Sequence, residues 1–236
     1  MSVQHLYLAG ELHDDTEEDL VGADWHQDGI FTTVDSLRDV AVEAGLPWHV
    51  GNQLTLVTSR PDGTPWRPSP DVMVHPFAGP EKRDDMTVAA DGIPALIIEV
   101  ASRTTWRYDI DTRQGKAWGY GHLGVANYLV FDPGSDFLGA PCLGWQHDGK
   151  RFREWRAALD GRFHVSGLGI ALRPENGLLR VFDASGRPVP FGHEKTTVME
   201  KQARQLVAQA QRLAELEAEL ARLRLRERDS GSGATD

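Results

Sequence analysis

Leu96-Ile97-Ile98-Glu99-Val100-Ala101-Ser102 is an apolar stretch that carries a single carboxylate at its centre. Its length and its branched apolar residues predict a buried β-strand. A carboxylate that is buried without a partner or a metal ion is costly in free energy. Glu99 therefore needs a partner, which is either a core Lys or Arg, such as Lys116, or a bound cation.

The composition is that of a globular protein without disulfide bonds. The chain has 236 residues, of which 40% are hydrophobic and 25% are charged, and its formal net charge is -10. This length predicts one domain of about 190 residues with an appended segment. A single cysteine, Cys142, excludes an internal disulfide framework and a cysteine-based metal cluster. The acidic balance argues against a large nucleic-acid surface but is compatible with one local basic groove.

The first residues lack the features of a secretory signal. Glu11, Asp14 and Asp15 lie where a basic and then an apolar region would be needed, and no apolar stretch approaches the length of a membrane span. We therefore expect a cytoplasmic protein with no membrane partner.

Local patterns place further elements on both sides of the Glu99 strand. Apolar residues spaced by three and four predict a helix over 30–44, and alternation with β-branching predicts a core strand over 53–58. The remaining predictions are a strand over 6–8, a solvated acidic loop over 13–19, a strand over 72–74, a polar loop over 79–92, a connector over 102–109, a helix over 112–123 and a strand over 126–131.

Three glycines interrupt the predicted helix over 112–123. Gly115, Gly119 and Gly121 each cost a helix roughly 1 kcal/mol relative to alanine. We expect tertiary contacts to stabilise this helix, with the glycines allowing close approach of a strand or a substrate. A frayed helix is the alternative.

The C-terminal third contains two further patterns. Short segments rich in Trp, Phe and Val alternate with turns over 144–182, which predicts hairpins that extend one edge of the sheet. Beyond them, leucines recur every seven residues at Leu206, Leu213 and Leu220, with Leu216 and Leu223 between them. This spacing predicts a coiled coil that pairs two copies through residues 199–223. The alternative is an amphipathic helix that folds back on its own domain.

The predicted domains are therefore a folded domain over 1–190, a coiled-coil helix over 194–228 and a disordered end over 229–236.

The order of elements and motifs resembles the PD-(D/E)xK nuclease superfamily, whose core is α-β-β-β-α-β. Within it, the chain resembles a restriction endonuclease family that was formerly called a domain of unknown function. The residues that carry the resemblance lie between about positions 5 and 185: Gly10-Glu11-Leu12, His26-Gln27, Pro70-Asp71-Val72, Ile98-Glu99-Val100, Ser102, Thr105, Asp109, Lys116, Tyr120, Gly124-Val125, Tyr128 and Val130-Phe131-Asp132-Pro133. The implied fold is α/β, a restriction-endonuclease-like core with a mixed sheet, extra β-hairpins and the coiled-coil tail.

The resemblance implies an endonuclease that hydrolyses phosphodiester bonds, with DNA as its partner and Mg²⁺ or Mn²⁺ as its cofactor. Asp71 and Glu99 would supply carboxylate ligands and Val100 a backbone carbonyl, in keeping with the oxygen ligands that Mg²⁺ prefers. The superfamily lysine two positions after the Glu is replaced by Ala101. Lys116 on the following helix is the substitute, and its ammonium would orient the attacking water.

Other interpretations of these residues remain open. His26 either lines the cleft or is a structural histidine, and Asp109 either caps the following helix or binds metal. Asp71 could only cap a turn, and Lys116 could be a solvated helix residue. A Lys116 ammonium that points to solvent more than about 10 Å from the carboxylates would refute the catalytic assignment.

Two functions are compatible with these residues. The first is a metal-dependent endonuclease, dimerised through its tail so that two active sites engage two strands. The second is a nuclease-fold binding or scaffold protein without useful catalysis, whose coiled coil recruits partners. The acid pair of Asp71 and Glu99 favours the first function, whereas the charge of -10 and the displaced lysine favour the second.

Overall fold

The computed structural model describes residues 19–231. The predictions for 6–8, for most of the 13–19 loop and for residues 232–236 lie outside this range, as do the motif residues 10–12. The elements in chain order are α1 (Asp19–Glu43), β1 (His49–Asn52), β2 (Thr55–Ser59), β3 (Pro65–Trp66), β4 (Val72–His75), β5 (Asp85–Thr87), α2 (Val88–Asp91), β6 (Leu96–Val100), α3 (Trp106–Ile110), α4 (Lys116–Leu123), β7 (Asn127–Phe131), β8 (Cys142–His147), β9 (Phe152–Glu154), β10 (Phe163–Val165), β11 (Ile170–Glu175), β12 (Leu178–Phe182) and α5 (Gly192–Gly231).

A mixed sheet organises the fold. Within residues 19–231 it has six strands in the order β1-β4-β6-β7-β8-β9. β6 and β7 are parallel, and the other neighbours are antiparallel. With α1 before β1 and α4 between β6 and β7, the strands β1, β4, β6 and β7 complete an α-β-β-β-α-β core. The predicted fold class is confirmed.

The two faces of this sheet are covered by different elements, because successive strand residues point to opposite sides. Ile98 and Val100 belong to a core with α1 and the β10–β12 sheet, which contributes Leu172 and Val181. On the other face, Ile97 and Ala101 pack in a core with α4 and the small sheet formed by β2, β3 and β5. Glu99 shares the second face, so its carboxylate lies on the α4 side.

The predicted strand over 53–58 is only partly correct. β2 covers Thr55–Ser59 and belongs to the small sheet, not to the main one. The first core strand is instead β1, His49–Asn52, which the sequence does not predict. Its residues His-Val-Gly-Asn show no apolar alternation, and it becomes a strand by pairing with β4.

Four predicted boundaries also change. α1 begins at Asp19, eleven residues before the predicted helix. The prediction missed these first turns because they lack the apolar spacing that marks a buried helix face. The predicted polar loop over 79–92 contains β5 and α2, and the connector over 102–109 contains the start of α3. α4 begins at Lys116, four residues later than predicted.

The C-terminal hairpins divide between two sheets. β8 and β9 extend the edge of the main sheet, as predicted. β10, β11 and β12 form a separate antiparallel sheet of three strands in the described part of the chain, so the prediction of a single extended edge is wrong for them. Alternation in a sequence indicates a strand but does not specify which sheet it joins.

The glycines of α4 serve close packing against aromatic rings. A Cβ at Gly119 would lie 2.5 Å from the Trp66 ring, and one at Gly121 would lie 2.9 Å from the Phe152 ring. The helix is regular to its left-handed cap at Gly124 (φ 88°). Residues 116–123 are therefore helical throughout, whereas residues 112–115 of the predicted helix are not. Side chains of the protein, rather than a substrate, make the close approach at these two glycines.

The chain divides into two compact units, Met1–Val189 and Pro190–Asp236. The second contains α5, a helix of 40 residues that continues to Gly231, so residues 229–231 are helical where a disordered end was predicted. Leu206, Leu213, Leu216 and Leu220 are exposed on it, and the side chain of Leu223 lies outside the described part. The helix confirms the secondary structure of the tail, whereas the coiled coil and the homodimer through 199–223 stay predictions. Among the helices of the described residues, none has the length and apolar character of a membrane span.

Candidate active site

β4 and β6 bring two acidic residues to the same end of the main sheet. Val72 pairs with Ile98, so the next pair outward is Asp71 and Glu99. The Asp71 amide lies 3.4 Å from Glu99 Oε2, and the Val100 amide donates a hydrogen bond of 2.8 Å to Asp71 Oδ2. Both acids are buried, with 8% of Asp71 and 1% of Glu99 exposed. Asp71 is therefore part of a buried acid pair rather than a simple turn cap.

Lys116, the first residue of α4, reaches into this acid pair. Its Nζ lies 2.9 Å from Glu99 Oε2 and 2.9 Å from Asp109 Oδ1. The preceding residue, Gly115, permits this start of the helix, because a Cβ at position 115 would collide with the backbone carbonyl of Tyr108. The ammonium thus meets the distance condition stated above, and Lys116 is not a solvated helix residue.

Ala101 occupies the strand position where the superfamily carries its lysine. It is buried on the same face as Glu99 and donates its backbone amide to Phe131 at 2.7 Å. The cation beside Glu99 comes instead from α4, which packs across this face.

Tyr120 is among the residues that carry the family resemblance, and the structure places it in the site. Its hydroxyl donates a hydrogen bond of 3.1 Å to Glu99 Oε1, and its ring packs 5.0 Å from Trp66 and 5.1 Å from Tyr128. Lys116 and Tyr120 are four residues apart and therefore lie on one face of a helix. That spacing is the signal that could have identified Tyr120 in advance.

The predicted helix over 30–44 would leave His26 ahead of it, but in the structure His26 lies inside α1. Its Nε2 is 3.5 Å from Asp71 Oδ2, so the structure brings it to the cluster. Gln53 reaches the other carboxylate oxygen, with Nε2 3.4 Å from Asp71 Oδ1. Gln53 adopts a left-handed conformation (φ 49°), which is uncommon outside glycine, and no sequence pattern indicated it.

Asp109 does not cap the helix that follows it. In the described residues the N-cap of α4 is Gly115, which makes no side-chain capping bond, so the capping prediction is wrong. Asp109 belongs to α3 and is completely buried, and its carboxylate contacts Lys116. The residues between α3 and α4 form a turn that brings Asp109 and Lys116 together, so their contact is not evident from the sequence.

Residues 11–144 match the model of the Uma2 family, which is described as "Putative restriction endonuclease". The chain belongs to the Uma2 family. This family is part of the PD-(D/E)xK superfamily, so the predicted relationship is confirmed, and the family description indicates a nuclease. The matched region contains every candidate site residue and ends in β8. No curated protein matches the chain.

The buried acids of this Uma2 protein have unequal pKa values. Burial raises the pKa of Glu99 to about 8, and the nearby Lys116 ammonium only partly offsets it. Burial likewise raises the pKa of Asp109. For Asp71, burial is outweighed by the hydrogen bonds from His26 and the Val100 amide, so its pKa is lowered. Neighbouring carboxyl groups with pKa values pushed apart are typical of functional sites.

The two basic side chains of the site, Lys116 and His26, both have raised pKa values. Burial acts to lower the pKa of Lys116, but the adjacent Glu99 and Asp109 outweigh it and raise it above its ordinary value. The hydrogen bond to Asp71 is the largest influence on His26 and raises its pKa, with a smaller contribution from the backbone of Val100. Lys116 is therefore an ammonium at neutral pH and is unsuited to act as a general base.

The donor set fits a hard divalent cation. Asp71 and Glu99 present carboxylate oxygens, which match the oxygen preference of Mg²⁺ and Mn²⁺, and the Val100 backbone contacts Asp71 through its amide. In the described part of the chain, no three His, Cys, Asp or Glu side chains converge into a ready-made metal cluster. A cation would therefore be held by two carboxylates, a carbonyl and water, which is how Mg²⁺ is commonly bound.

Proposed function

We propose that this Uma2 protein is a metal-dependent endonuclease that hydrolyses phosphodiester bonds of DNA. The convergence of Asp71, Glu99 and Lys116 carries the proposal, with the ammonium 2.9 Å from a carboxylate oxygen on the neighbouring strand. Two oxygen ligands and one fixed cation are the groups that phosphodiester hydrolysis requires.

Asp71, Glu99 and the Val100 carbonyl would hold Mg²⁺ or Mn²⁺. When bound, such an ion lowers the pKa of a water ligand and neutralises charge on the phosphoryl oxygens. Lys116 orients the attacking water and stabilises the negative charge that develops on the phosphate. Its raised pKa keeps it protonated for this role.

Other residues fix these groups in place. Tyr120 holds Oε1 of Glu99 and leaves Oε2 facing Lys116. Asp109 holds the ammonium of Lys116 from the opposite side, and His26 contacts Asp71. We assign Asp109 a positioning role, because it holds the proposed catalytic ammonium, whereas His26 contacts a carboxylate that the cation would also need.

The charge distribution supports an anionic substrate. The first 37 residues contain nine Asp and Glu and no Lys or Arg, whereas the other 199 contain 26 Asp and Glu and 25 Lys and Arg. Nearly all of the net charge of -10 therefore lies in the N-terminal part of the sequence. Directly after the Glu99 strand, Arg103, Arg107 and Arg113 are exposed. Exposed arginines beside a hydrolytic site favour binding to the phosphate backbone.

The scaffold function rested on the net charge and on the missing lysine at position 101. The location of the negative charge and the contact between Lys116 and Glu99 weaken both reasons. The exposed leucines of α5 still favour association, and we propose that residues 199–223 form a homodimer that presents two active sites.

A plasmid nicking assay tests the hydrolytic function. Wild type is expected to nick supercoiled plasmid in Mg²⁺ or Mn²⁺ and not in EDTA, and Glu99→Ala and Lys116→Ala are expected to lose this activity. Glu175→Ala, which changes a glutamate far along the chain on β11, serves as the matched control and should keep it. Equal, metal-independent background in all four proteins would refute the proposal.

Sedimentation of the full chain tests the homodimer. Leu213→Glu places a charge at a heptad core position and should convert a wild-type dimer into a monomer. Ala214→Glu adds the same charge beside the seam and should leave the dimer intact. A monomeric wild type, or a dimer that survives Leu213→Glu, would contradict the dimer.

A further inference from the structure

An open groove of about 620 Å³ lies beside α4, on residues that the hydrolytic mechanism does not use. α4 forms one wall through Trp118 and His122, and the hairpin of β8 and β9 forms the other. The aromatic residues Trp145 and Phe152 and the basic residues Lys150 and Arg151 come from this hairpin.

The aromatic part of the groove is built on a stack of rings. Trp145 stacks on Tyr128 at 5.6 Å, with 22° between the ring planes, and Phe152 lies nearly parallel to the same Tyr128 at 6.1 Å. Trp145 and Phe152 are partly exposed, whereas Tyr128 is buried. Gly121 of α4 permits this arrangement, since a Cβ there would meet the Phe152 ring at 2.9 Å. The groove therefore exposes part of two aromatic rings that are supported by the buried Tyr128.

The basic part of the groove carries cations that are not neutralised. Lys150 and Arg151 are exposed, and neither forms an ion pair within the described residues. The neighbouring Arg153 differs, because it is held by Asp148 at 2.6 Å. Glu154, the acidic residue of the lining, is engaged by Arg156 at 2.7 Å. The groove consequently has an excess of positive charge.

We infer that this groove binds single-stranded DNA, with bases stacked on Trp145 and Phe152 and phosphates held by Lys150 and Arg151. Aromatic rings that alternate with free cations are the recognition surface of single-strand binders, and only unpaired bases expose their faces for stacking. The inference rests on the proposed nuclease function and specifies its substrate as DNA with a single-stranded segment.

The position of the groove connects it to the proposed catalytic residues. Lys116 is the first residue of α4, and Trp118 and His122 of the same helix line the groove. This helix has eight residues and is therefore only about 12 Å long. A strand seated in the groove would therefore lie within one helix length of Lys116 but on a different side of α4, because residues two apart on a helix do not share a face.

Fluorescence anisotropy with a labelled oligothymidylate and the full chain, in EDTA to prevent cleavage, tests the inference. Wild type should bind the single strand at least tenfold more tightly than a duplex of the same length. Lys150→Ala/Arg151→Ala should weaken binding by tenfold or more and reduce the salt dependence by a slope of about 1.4, as expected for two lost phosphate contacts. Lys82→Ala/Arg187→Ala removes two exposed cations outside the groove and should bind as wild type does.

Substitution of Trp145 tests the aromatic contribution. Trp145→Ala should weaken single-strand binding by about fivefold or more, and Trp145→Phe should restore most of it, because stacking needs a ring. Three results would overturn the inference. The first is equal binding of duplex and single strand, and the second is a loss of binding in the Lys82→Ala/Arg187→Ala control as large as that in Lys150→Ala/Arg151→Ala. The third is competition by polyglutamate as strong as that by the oligonucleotide.

The catalytic variant separates this inference from the proposed function. Glu99→Gln should bind the oligothymidylate as wild type does. If wild type nicks plasmid but does not prefer the single strand, the groove inference fails and the nuclease stands. If single-strand binding depends on Lys150 and Arg151 but wild type does not nick plasmid in either Mg²⁺ or Mn²⁺, the groove is a binding site and the nuclease proposal fails.

Discussion

Two charge networks in the first unit of the chain are built in opposite ways. At the ends of β4 and β6, the carboxylates of Asp71, Glu99 and Asp109 outnumber the basic side chains of Lys116 and His26 that contact them. On β11 and β12 the excess is reversed, since one carboxylate, Glu175, is shared by two arginines. Its Oε2 lies 2.7 Å from Arg173 and its Oε1 lies 2.8 Å from Arg180.

The pKa values of Glu99 and Glu175 shift in opposite directions. Burial raises the pKa of Glu99 to about 8, whereas hydrogen bonds from Arg173 and Arg180 lower the pKa of Glu175. A buried acid with a raised pKa destabilises the fold when it is ionised, and one with a lowered pKa stabilises it. Ionised Glu99 in the first network therefore costs stability, which a bound cation would offset, whereas ionised Glu175 in the second network stabilises the fold.

The largest expected effect is that of Lys116→Met on activity. Loss of the ammonium should lower the nicking rate by about 10²–10³-fold, the usual effect of removing one stabilising group from a hydrolytic site. It also leaves Glu99 and Asp109 without their shared cation, which should lower the free energy of unfolding by about 3 kcal/mol. Nicking rates per folded molecule, with urea unfolding on the same samples, measure both effects.

Arg180→Met in the second network provides the matching control. Arg180 is buried and also donates to the Val189 carbonyl at 3.1 Å. Its loss should destabilise the protein by about 2–3 kcal/mol and leave the nicking rate per folded molecule unchanged. Equal loss of activity in Lys116→Met and Arg180→Met would mean that stability, not chemistry, explains both.

The next effect is a dependence of stability on pH with opposite signs in the two networks. The raised pKa of Glu99 gives stability that is present below its unfolded value of 4.5 and is lost as the pH rises towards about 8. Glu99→Gln removes that loss, so its free energy of unfolding relative to wild type should increase by about 3–4 kcal/mol between pH 5 and pH 8. Urea unfolding in EDTA measures the difference.

Glu175→Gln should behave in the opposite way. The lowered pKa of Glu175 gives stability that is present above 4.5 and is lost as the pH falls through the native-state value. The substitution should therefore lower the free energy of unfolding by about 1 kcal/mol at pH 7 and by less at pH 3. The expected value is small because Glu175 is partly exposed. The same sign of pH dependence in Glu99→Gln and Glu175→Gln would contradict the distinction between the networks.

The smallest expected effect concerns His26. Its ring contacts Oδ2 of Asp71, a residue that we assign to the cation, so the ring and the cation compete for this carboxylate. His26→Phe removes the competing contact and should lower the Mg²⁺ concentration for half-maximal nicking by about threefold, or about 0.7 kcal/mol. A higher Mg²⁺ requirement would show that His26 supports the cation site instead.

The sequence predicted the centre of the site better than its surroundings. Glu99 stood out because a carboxylate within an apolar strand is rare, and the Asp71 motif preceded a second strand that pairs with it. The role of Asp109 was not predicted, because its contact with Lys116 depends on the turn between α3 and α4. Gln53 was missed since its position depends on a left-handed backbone conformation.

The same contrast holds for the fold. Strongly apolar β6 and β7 were predicted within two residues, because their burial on both faces gives continuous apolar runs. β1 was not predicted, since Gly51 and Asn52 carry no strand signal and the strand forms only through its pairing with β4. Long-range pairing, and not local preference, determines such elements.

Electron paramagnetic resonance of Mn²⁺ tests most directly whether the acid-rich network is a cation site. We predict that wild type binds Mn²⁺ in competition with Mg²⁺, that Asp71→Asn and Glu99→Gln lose this binding, and that Glu175→Gln keeps it. Mn²⁺ binding that is the same in wild type, Asp71→Asn and Glu99→Gln, or lost only in Glu175→Gln, would contradict the assignment of Asp71 and Glu99 as the ligands of a hydrolytic site.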